Sequence, residues 1–315
     1  MIDTDPGVDD ALALLLASRS PELNVVAVSV VSGNVGVAQG LDNARRILHL
    51  AWGSGAPPLF VGRERVGQTA THVHGDDGIG GCSRLRAGSG GERYPARAPV
   101  SGTPASEAIL EQAAARPGEL TLVTLGPLTN AADAFRADPD RFRMLGRIVA
   151  MGGAFRTPGN VSPFAEFNIF VDPDSAQAIC DSQVPLTWVS LDVTHRCMLY
   201  AEDLTFLGGG ELLDFAREVT EFSMEFHGRF YGEYGCYPHD AVAVAALIWP
   251  ERFTSESHRV DVETESERLL GATLADFRPR LLRSLTPVNS DVLLSVDGRR
   301  LTGDILGRLI RRSVN

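Results

Sequence analysis

The stretch Asn24–Leu50, NVVAVSVVSGNVGVAQGLDNARRILHL, contains the repeating unit from which the fold can be predicted. Its first part, Asn24–Val31, is an almost unbroken run of β-forming residues, which is typical of a strand covered on both faces. A short polar loop, Ser32-Gly33-Asn34, follows the strand. The helical pattern Gln39–Leu50 comes next. The stretch therefore predicts one strand–loop–helix unit of an α/β protein.

The same alternation continues along the chain. Further buried strands are predicted at Leu120–Leu125, Arg147–Met151 and Leu186–Leu191, and further helices at Asp9–Ser18, Pro104–Ala115, Leu128–Phe135 and Pro173–Cys180. Strands that alternate with helices form mostly parallel sheets, and right-handed crossovers distribute the helices over both faces. We therefore expect an α/β fold with a doubly wound, mostly parallel open sheet and helices on both faces.

The remaining segments extend this core. Residues Val61–Thr103 are rich in Gly, Arg, Ser and Pro and predict mobile loops, whereas Asp203–Trp249 predicts a mainly helical addition. Two strands, His258–Val262 and Val292–Val296, and a helix near Asp304–Arg312 complete the prediction. Because no internal repeat separates two units, we expect residues 1–315 to form a single domain.

The first strand is unusually short. Only Met1 and Ile2 precede the first carboxylate, Asp3, whereas a typical strand has about 5–6 residues. We therefore expect the native start codon to lie upstream of this Met1.

Composition excludes several classes of function. The net charge of -11 disfavours binding to nucleic acids or anionic membranes. All 29 basic residues are arginine, which excludes Schiff-base lysines and phosphate-binding lysine motifs. The four cysteines show no metal-binding spacing, and neither a signal peptide nor a long apolar run is visible. These features indicate a cytoplasmic protein with free thiols.

The segment Asp3-Thr4-Asp5-Pro6-Gly7-Val8-Asp9-Asp10 places four carboxylates immediately before an apolar helix. One aspartate at this position is explained by helix capping, but four are not, because neighbouring carboxylates repel each other. Oxygen ligands of this kind suit Ca²⁺ or Mg²⁺, although the spacing is not that of an EF-hand. The segment therefore predicts a site for a hard divalent cation.

Other polar clusters are predicted at the same edge of the sheet. Asp240 begins an apolar helix and could complete the cation site, although a simple cap also explains it. Asn34, Leu125, Asp192 and the Gly152–Asn168 loop all follow predicted parallel strands. Ligands bind at this edge of open α/β sheets. We therefore expect one polar cleft there.

Five motifs, DTDPGVDDA (Asp3–Ala11), HGDDGIGG (His74–Gly81), LGPLTN (Leu125–Asn130), GNVSPFAEFNIFVDP (Gly159–Pro173) and PHDAVAV (Pro238–Val244), occur in this order. In these motifs the sequence resembles the inosine-uridine nucleoside N-ribohydrolase family across most of its length. The resemblance implies calcium-dependent hydrolysis of the N-glycosidic bond of ribonucleosides, and a homodimer or homotetramer. It leaves open which base is preferred.

The resemblance also implies roles for individual residues. The implied calcium ligands are Asp5, Asp10, Asp240 and the carbonyl oxygen of Leu125, with Asp5 also the general base and Asp3 in support. The residues that match ribose-binding positions are Asp9, Asn34, Asn160, Glu166 and Asn168, with Phe167 packing among them. His239 matches the acid that protonates the departing base, and His74 matches the base pocket. Tyr231, Tyr234 and Tyr237 either stack on the base or pack together.

This chemistry is coherent, because cleavage of a ribosyl bond develops positive charge that nearby carboxylates stabilise. Two alternatives remain: hydrolysis of a modified or unusual N-riboside, and non-catalytic nucleoside binding. A dehalogenase-type phosphatase, suggested by Asp3-x-Asp5, would lack its usual lysine.

Overall fold

The computed structural model describes residues 1–65, 67–205, 208–278 and 287–310. Within them the strands are β1 (Ile2–Thr4), β2 (Val28–Val30), β3 (Leu59–Val61), β4 (Val100–Pro104), β5 (Thr121–Thr124), β6 (Arg147–Met151), β7 (Leu186–Val189), β8 (Leu199–Tyr200), β9 (Gly235–Cys236), β10 (Phe253–His258), β11 (Val260–Val262), β12 (Thr273–Ala275) and β13 (Ser290–Val296).

Helices connect most of these strands. In the described residues they are α1 (Val8–Ser18), α2 (Val37–Trp52), α3 (Thr71–His74), α4 (Ala105–Ala115), α5 (Thr129–Ala137), α6 (Pro139–Phe142), α7 (Phe167–Val171), α8 (Pro173–Cys180), α9 (Leu191–Thr194), α10 (Ala201–Thr205), α11 (Glu211–Tyr231), α12 (His239–Ile248) and α13 (Gly298–Ile310). Among them, none combines the length and hydropathy needed to cross a bilayer.

The central sheet has β1 near its middle. In the described part of the chain its order is β10-β13-β7-β6-β5-β1-β2-β3-β4. Every neighbouring pair is parallel except β10 and β13. The carboxyl ends of the parallel strands therefore lie at one edge of the sheet. This topology confirms the predicted doubly wound, mostly parallel open sheet.

Each face of the sheet has its own apolar core, because successive strand residues point to opposite faces. Val149 belongs to a core cluster that includes residues of α1, α2, α11, α12 and α13, whereas its neighbours Ile148 and Ala150 belong to a second cluster that includes residues of α4, α5 and α8. The predicted helices on both faces are thus confirmed. The long helix α11 belongs to the predicted helical addition, and it covers the first of these cores.

Most predicted elements occur where expected, and β6 and α8 match residue for residue. The single strand predicted at His258–Val262 is instead the last residue of β10 and the whole of β11, separated at Arg259. The chain leaves the central sheet after His258, and β11 pairs with β12 instead. Between the two strands, Arg259 forms ion pairs with Asp181 and Asp261. Residues 311–312 of the predicted last helix lie outside the described residues.

The segment predicted as loops, Val61–Thr103, begins at the last residue of β3 and contains the short helix α3 and most of β4. β3 and β4 extend the sheet beyond β2, and α3 lies between them. The loop after α3 is ordered by Asp77, whose carboxylate accepts hydrogen bonds from the backbone of Ile79, Gly81 and Ser83 and from the Ser83 hydroxyl. This loop holds α3 beside the carboxyl edge of the sheet.

Candidate active site

Four buried carboxylates meet where β1 leads into α1. Asp5, Asp9 and Asp10 follow β1, and Asp240 lies in the first turn of α12. Carboxylate oxygens of Asp9, Asp10 and Asp240 all lie within 4.8 Å of one another. Asp5 lies beside this group, since the charges of Asp10 and Asp9 both act on its carboxyl.

Hydrogen bonds hold two of these carboxylates from behind. Asp10 accepts from the Thr4 hydroxyl, from the Gly7 amide at 2.8 Å and from the Asn34 side chain at 3.1 Å. Asp5 accepts from the Asn34 amide at 2.7 Å. Asn34, which follows β2, therefore aligns both carboxylates.

The electrostatics of the cluster demand a counter-charge. Burial, followed by the charge of Asp10, raises the pKa of Asp9 to about 8. The same two causes raise the pKa of Asp5 and of Asp240 well above the usual value. Like charges held close in a site of low dielectric resist ionisation together. Without a cation, several of these carboxyls would therefore be protonated at neutral pH.

The donor set fits a hard divalent cation. Within the described residues, Asp5 Oδ1 and Asp9 Oδ1 are buried and have no hydrogen-bond partner. Such orphaned atoms cost free energy unless something binds them. All side-chain donors in the cluster are oxygens, which suit Ca²⁺ or Mg²⁺. The residues present thus match the kind of ion that the sequence predicted.

Two glycines allow the chain to pass close to Asp5. A Cβ atom at Gly33 would lie 2.0 Å from Asp5 Oδ2, and one at Gly126 would lie 2.5 Å from Asp5 Oδ1. No other residue type fits against a carboxylate at these distances. The glycines in the loops after β2 and β5 therefore fix the position of Asp5.

The loop after β6 carries a second polar group. Glu166 caps α7 by accepting from the amides of Asn168 and Ile169, and it also accepts from the Gly153 amide. Asn168 donates to the Leu125 carbonyl at 2.7 Å, and Asn160 accepts from the Phe167 amide at 2.9 Å. These bonds tie the loop to the end of β5, next to the carboxylate cluster.

A cavity of about 320 Å³ opens over these groups. Its lining contains two chemical groups of residues, which we call walls: the first wall is Asp9, Asn34, Leu125, Asn160, Glu166, Phe167, Asn168 and Asp240, and the second wall is His72, His74, His195, His227, His239, Phe226, Tyr231 and Tyr237. The volume falls in the range of small-molecule sites. The first wall is thus made mainly of carboxylates and amides, and the second of aromatic rings.

Three of the imidazoles have defined partners. The Val8 amide donates to His74 Nδ1 at 3.0 Å, and His239 Nδ1 lies 2.7 Å from the Thr194 hydroxyl. His227 Nδ1 lies 2.8 Å from the Ser223 carbonyl oxygen. Burial lowers the pKa of His74 to about 3 and that of His239 well below its usual value. Both rings are therefore neutral at neutral pH.

The cavity brings together most of the residues that the sequence singled out. Those that line it are Asp9, Asn34, His74, Leu125, Asn160, Glu166, Phe167, Asn168, His239 and Asp240. Asp5 and Asp10 are not among the described residues that line it. Tyr231 and Tyr237 also line the cavity, and His227 stacks on Tyr231 at 5.5 Å.

Sequence reasoning missed four aromatic side chains of the second wall: His72, His195, Phe226 and His227. For His227 a signal existed, because it continues the buried face of α11 after Val219 and Ser223 at four-residue spacing. A buried histidine needs a hydrogen-bond partner or a ligand. His195 directly follows Thr194, and no motif in the sequence marks it.

Comparisons with known proteins agree with this geometry. A family model described as inosine-uridine preferring nucleoside hydrolase matches residues 1–302. The chain is 35% identical over 319 residues to the pyrimidine-specific ribonucleoside hydrolase RihA of Salmonella gallinarum, covering 98% of this chain and 97% of that protein.

Solved structures give the same result. A plant nucleoside hydrolase, PpNRh1, has a TM-score of 0.88 at 31% identity, covering 99% of this chain and 98% of its own. A purine-preferring ribonucleoside hydrolase from Gardnerella vaginalis has a TM-score of 0.84 at 28% identity, covering 98% and 97%.

Proposed function

The chain belongs to the inosine-uridine preferring nucleoside hydrolase family, and on that premise we propose how its residues divide the work of N-glycosidic hydrolysis. The protein is a nucleoside N-ribohydrolase, which releases ribose and a free base from ribonucleosides. The observation that carries the assignment of its site is the buried carboxylate cluster with unpartnered oxygens beneath a cavity. The non-catalytic alternative no longer stands, because the family is one of hydrolases.

We propose that the cation is calcium and that Asp5, Asp10, Asp240 and the Leu125 carbonyl oxygen hold it. Calcium takes six to eight oxygen ligands and tolerates irregular geometry, whereas magnesium demands an octahedron and keeps several waters. The orphaned Asp5 Oδ1 supports this assignment. When bound, the ion would lower the pKa of the attacking water and orient the ribose hydroxyls.

The carboxylates and amides on the first wall suit the ribose. Asp9, Asn160 and Asn168 offer hydrogen-bonding groups to its hydroxyls, with Asn34 and Glu166 beside them. Phe167 is nearly buried among them and packs against the sugar. As the glycosidic bond breaks, this negative wall stabilises the positive charge that develops on the ribose. Asp5 removes the proton from the attacking water.

The second wall suits the base. His239 donates a hydrogen bond from its neutral imidazole to the departing base, which stabilises the negative charge that the base takes up as the glycosidic bond breaks, and the base then takes its proton from water. His74 supplies another imidazole. Tyr231, Tyr237 and Phe226 offer ring faces to a planar base. An unusual N-riboside would place its ribose against the same first wall, and only its base would make different contacts with the second wall.

The decisive experiment measures release of free sugar. Purine and pyrimidine ribonucleosides and 2′-deoxyribonucleosides are assayed with and without a chelator, and we expect only ribonucleosides to be cleaved efficiently. Asp5→Asn should lower kcat by about 10²–10⁴-fold, as expected for loss of a general base. Asp140→Asn, whose side chain is 95% exposed, is the matched control. Full activity of Asp5→Asn would remove Asp5 from the mechanism.

We further propose that residues 1–315 form one domain that acts as a homodimer or homotetramer in the cytoplasm. The central sheet takes strands from both halves of the chain, with β13 beside β7 and β1 beside β5. The four cysteines are buried and unpaired, which suits a reducing compartment. Sedimentation of the purified protein tests the oligomeric state.

A further inference from the structure

We propose that the Thr194 hydroxyl is a positioning group for His239, donating to its Nδ1 and so keeping the ring proton on Nε2. Nε2 is the nitrogen left to meet the departing base. This inference rests on the proposed role of His239 as the donor to the base. The fold would thereby select one of the two neutral forms of that ring, which carry the proton on Nδ1 or on Nε2.

The two residues come from different parts of the sheet edge. Thr194 is the last residue of α9, just beyond β7, and His239 is the first residue of α12. The Thr194 amide donates to the Ser190 carbonyl oxygen at 3.1 Å, which fixes the backbone beneath the hydroxyl. Thr194 has no exposed surface. Its hydroxyl is therefore held against His239 Nδ1, 2.7 Å away.

Counting protons decides the direction of this bond. A buried hydroxyl has one proton that needs an acceptor, and a neutral imidazole has one N–H donor and one nitrogen lone pair that accepts. Within residues 1–65, 67–205, 208–278 and 287–310, Thr194 Oγ1 has no hydrogen-bond partner other than His239 Nδ1. If Nδ1 carried the proton, the buried hydroxyl proton would have no acceptor. That arrangement is disfavoured by a factor of about 5 to 150.

Two other imidazoles in the cavity provide internal references. The Val8 amide can only donate, so a neutral His74 must carry its proton on Nε2. The Ser223 carbonyl oxygen can only accept, so a neutral His227 must carry its proton on Nδ1. At a pH at which all three rings are neutral, the protein therefore contains one ring of each form, and His239 should resemble His74.

The direct test is ¹⁵N NMR of the full-length, metal-loaded protein labelled in its histidine rings. Correlations between ring nitrogens and carbon-bound protons distinguish the two neutral forms, and single histidine substitutions assign them. We expect His239 to match His74 in the parent protein and in Thr194→Ser, and to lose that match in Thr194→Val. A parent His239 that matches His227, or an unchanged spectrum in Thr194→Val, would overturn the inference.

Kinetics test the consequence for turnover. Without the Thr194 hydroxyl nothing favours one neutral form of the ring, so in Thr194→Val about half of the rings carry the proton on Nε2, and kcat for uridine and inosine should fall about twofold with KM little changed. Cleavage of 4-nitrophenyl riboside, whose leaving group needs no proton, should be unaffected. Thr194→Ser should retain activity. Thr302→Val, which alters an equally buried hydroxyl in α13, is the stability control.

The hydrogen bond from Thr194 and the proposed role of His239 can be refuted separately. If Thr194→Val changes the ring form but not kcat, the hydrogen bond is supported and the role of His239 in the proposed function is wrong. If kcat falls equally for 4-nitrophenyl riboside, Thr194 is merely structural and the inference is wrong. In a His239→Phe background, Thr194→Val should have no further effect on kcat, because the group that it positions is gone.

Discussion

The substitution Gly33→Ala adds a single methyl group to the loop that fixes Asp5. Its Cβ atom would lie 2.0 Å from Asp5 Oδ2, 2.8 Å from Asp5 Cγ and 2.8 Å from Pro127 Cδ. Tight Cβ contacts begin at 3.0 Å and ordinary ones at 3.4 Å, so the carboxylate and the loop must move apart by 1.0–1.4 Å, the difference between these distances. The Asn34 amide, which donates to Oδ2 at 2.7 Å, would lose its acceptor.

The size of this movement sets the expected loss of activity. A displacement of about 1 Å in a catalytic group costs about 100-fold in rate. We therefore expect kcat/KM to fall at least about 100-fold, which corresponds to about 2.7 kcal/mol of transition-state stabilisation. Overpacking a core position costs about 1–3 kcal/mol of folding stability. The variant should thus fold, with a modestly lower Tm.

The assay compares kcat/KM for uridine and inosine, by release of ribose, with Tm from calorimetry. Gly102→Ala is the matched control, because nothing lies within 4 Å of the added methyl group. Gly126→Ala, with a Cβ 2.5 Å from Asp5 Oδ1, should behave like Gly33→Ala. If Gly33→Ala retained full activity, the position of Asp5 would not matter to the reaction, and its proposed roles would both be wrong.

Two further predictions concern the cation cluster and the loop beside it. The folded-state pKa of Asp9 is raised to about 8, whereas its unfolded value is about 3.9. In metal-stripped protein, Asp9 therefore contributes stability at low pH, and this contribution is lost as the pH rises through about 8. The Tm of chelated protein should therefore fall from about pH 5 to pH 9, and excess calcium should flatten the profile; a Tm that rises with pH in chelator would contradict it. Asp77→Ala removes the acceptor for four hydrogen bonds in the loop after α3, and should cost about 2–4 kcal/mol of stability and lower activity by displacing His74. Asp76→Ala, whose side chain is 85% exposed, should change neither, and equal loss in both variants would count against the ordering role of Asp77.

The fold was predictable where strands are covered on both faces. β6 lies between two parallel neighbours, and four of its five residues are buried, so its apolar run marks its bounds. β4 lies at the edge of the sheet, and its residues alternate between exposed and half-buried. Its sequence, VSGTP, therefore lacks the apolar run by which a strand is detected. β10 was missed in the same way, because FTSESH is mostly polar and partly exposed.

The first wall, with its carboxylates and amides, was predictable for a topological reason. Parallel strands end at one edge, so the polar residues after β1, β2, β5 and β6 must approach each other whatever their order in the chain. The sequence did not, however, predict which three carboxylates lie closest to one another. The sequence favoured Asp5, Asp10 and Asp240 as the cation ligands, whereas the oxygens that approach most closely belong to Asp9, Asp10 and Asp240. Which neighbouring aspartate faces inward depends on the turn at Gly7, and spacing alone does not determine it.

The second wall was less predictable, because helices supply many of its rings. His227 continues the buried face of α11 after Val219 and Ser223, so periodicity marks it as buried but does not separate a ligand contact from packing. This difference also bears on how substrate preference changes among relatives. An altered carboxylate would leave buried charges unpaired, whereas the end of α11 is open to solvent, with Phe230 63% and Tyr231 69% exposed. Substitutions there disturb little of the core, so base preference can change while the ribose side stays fixed, consistent with relatives named for pyrimidine and for purine nucleosides.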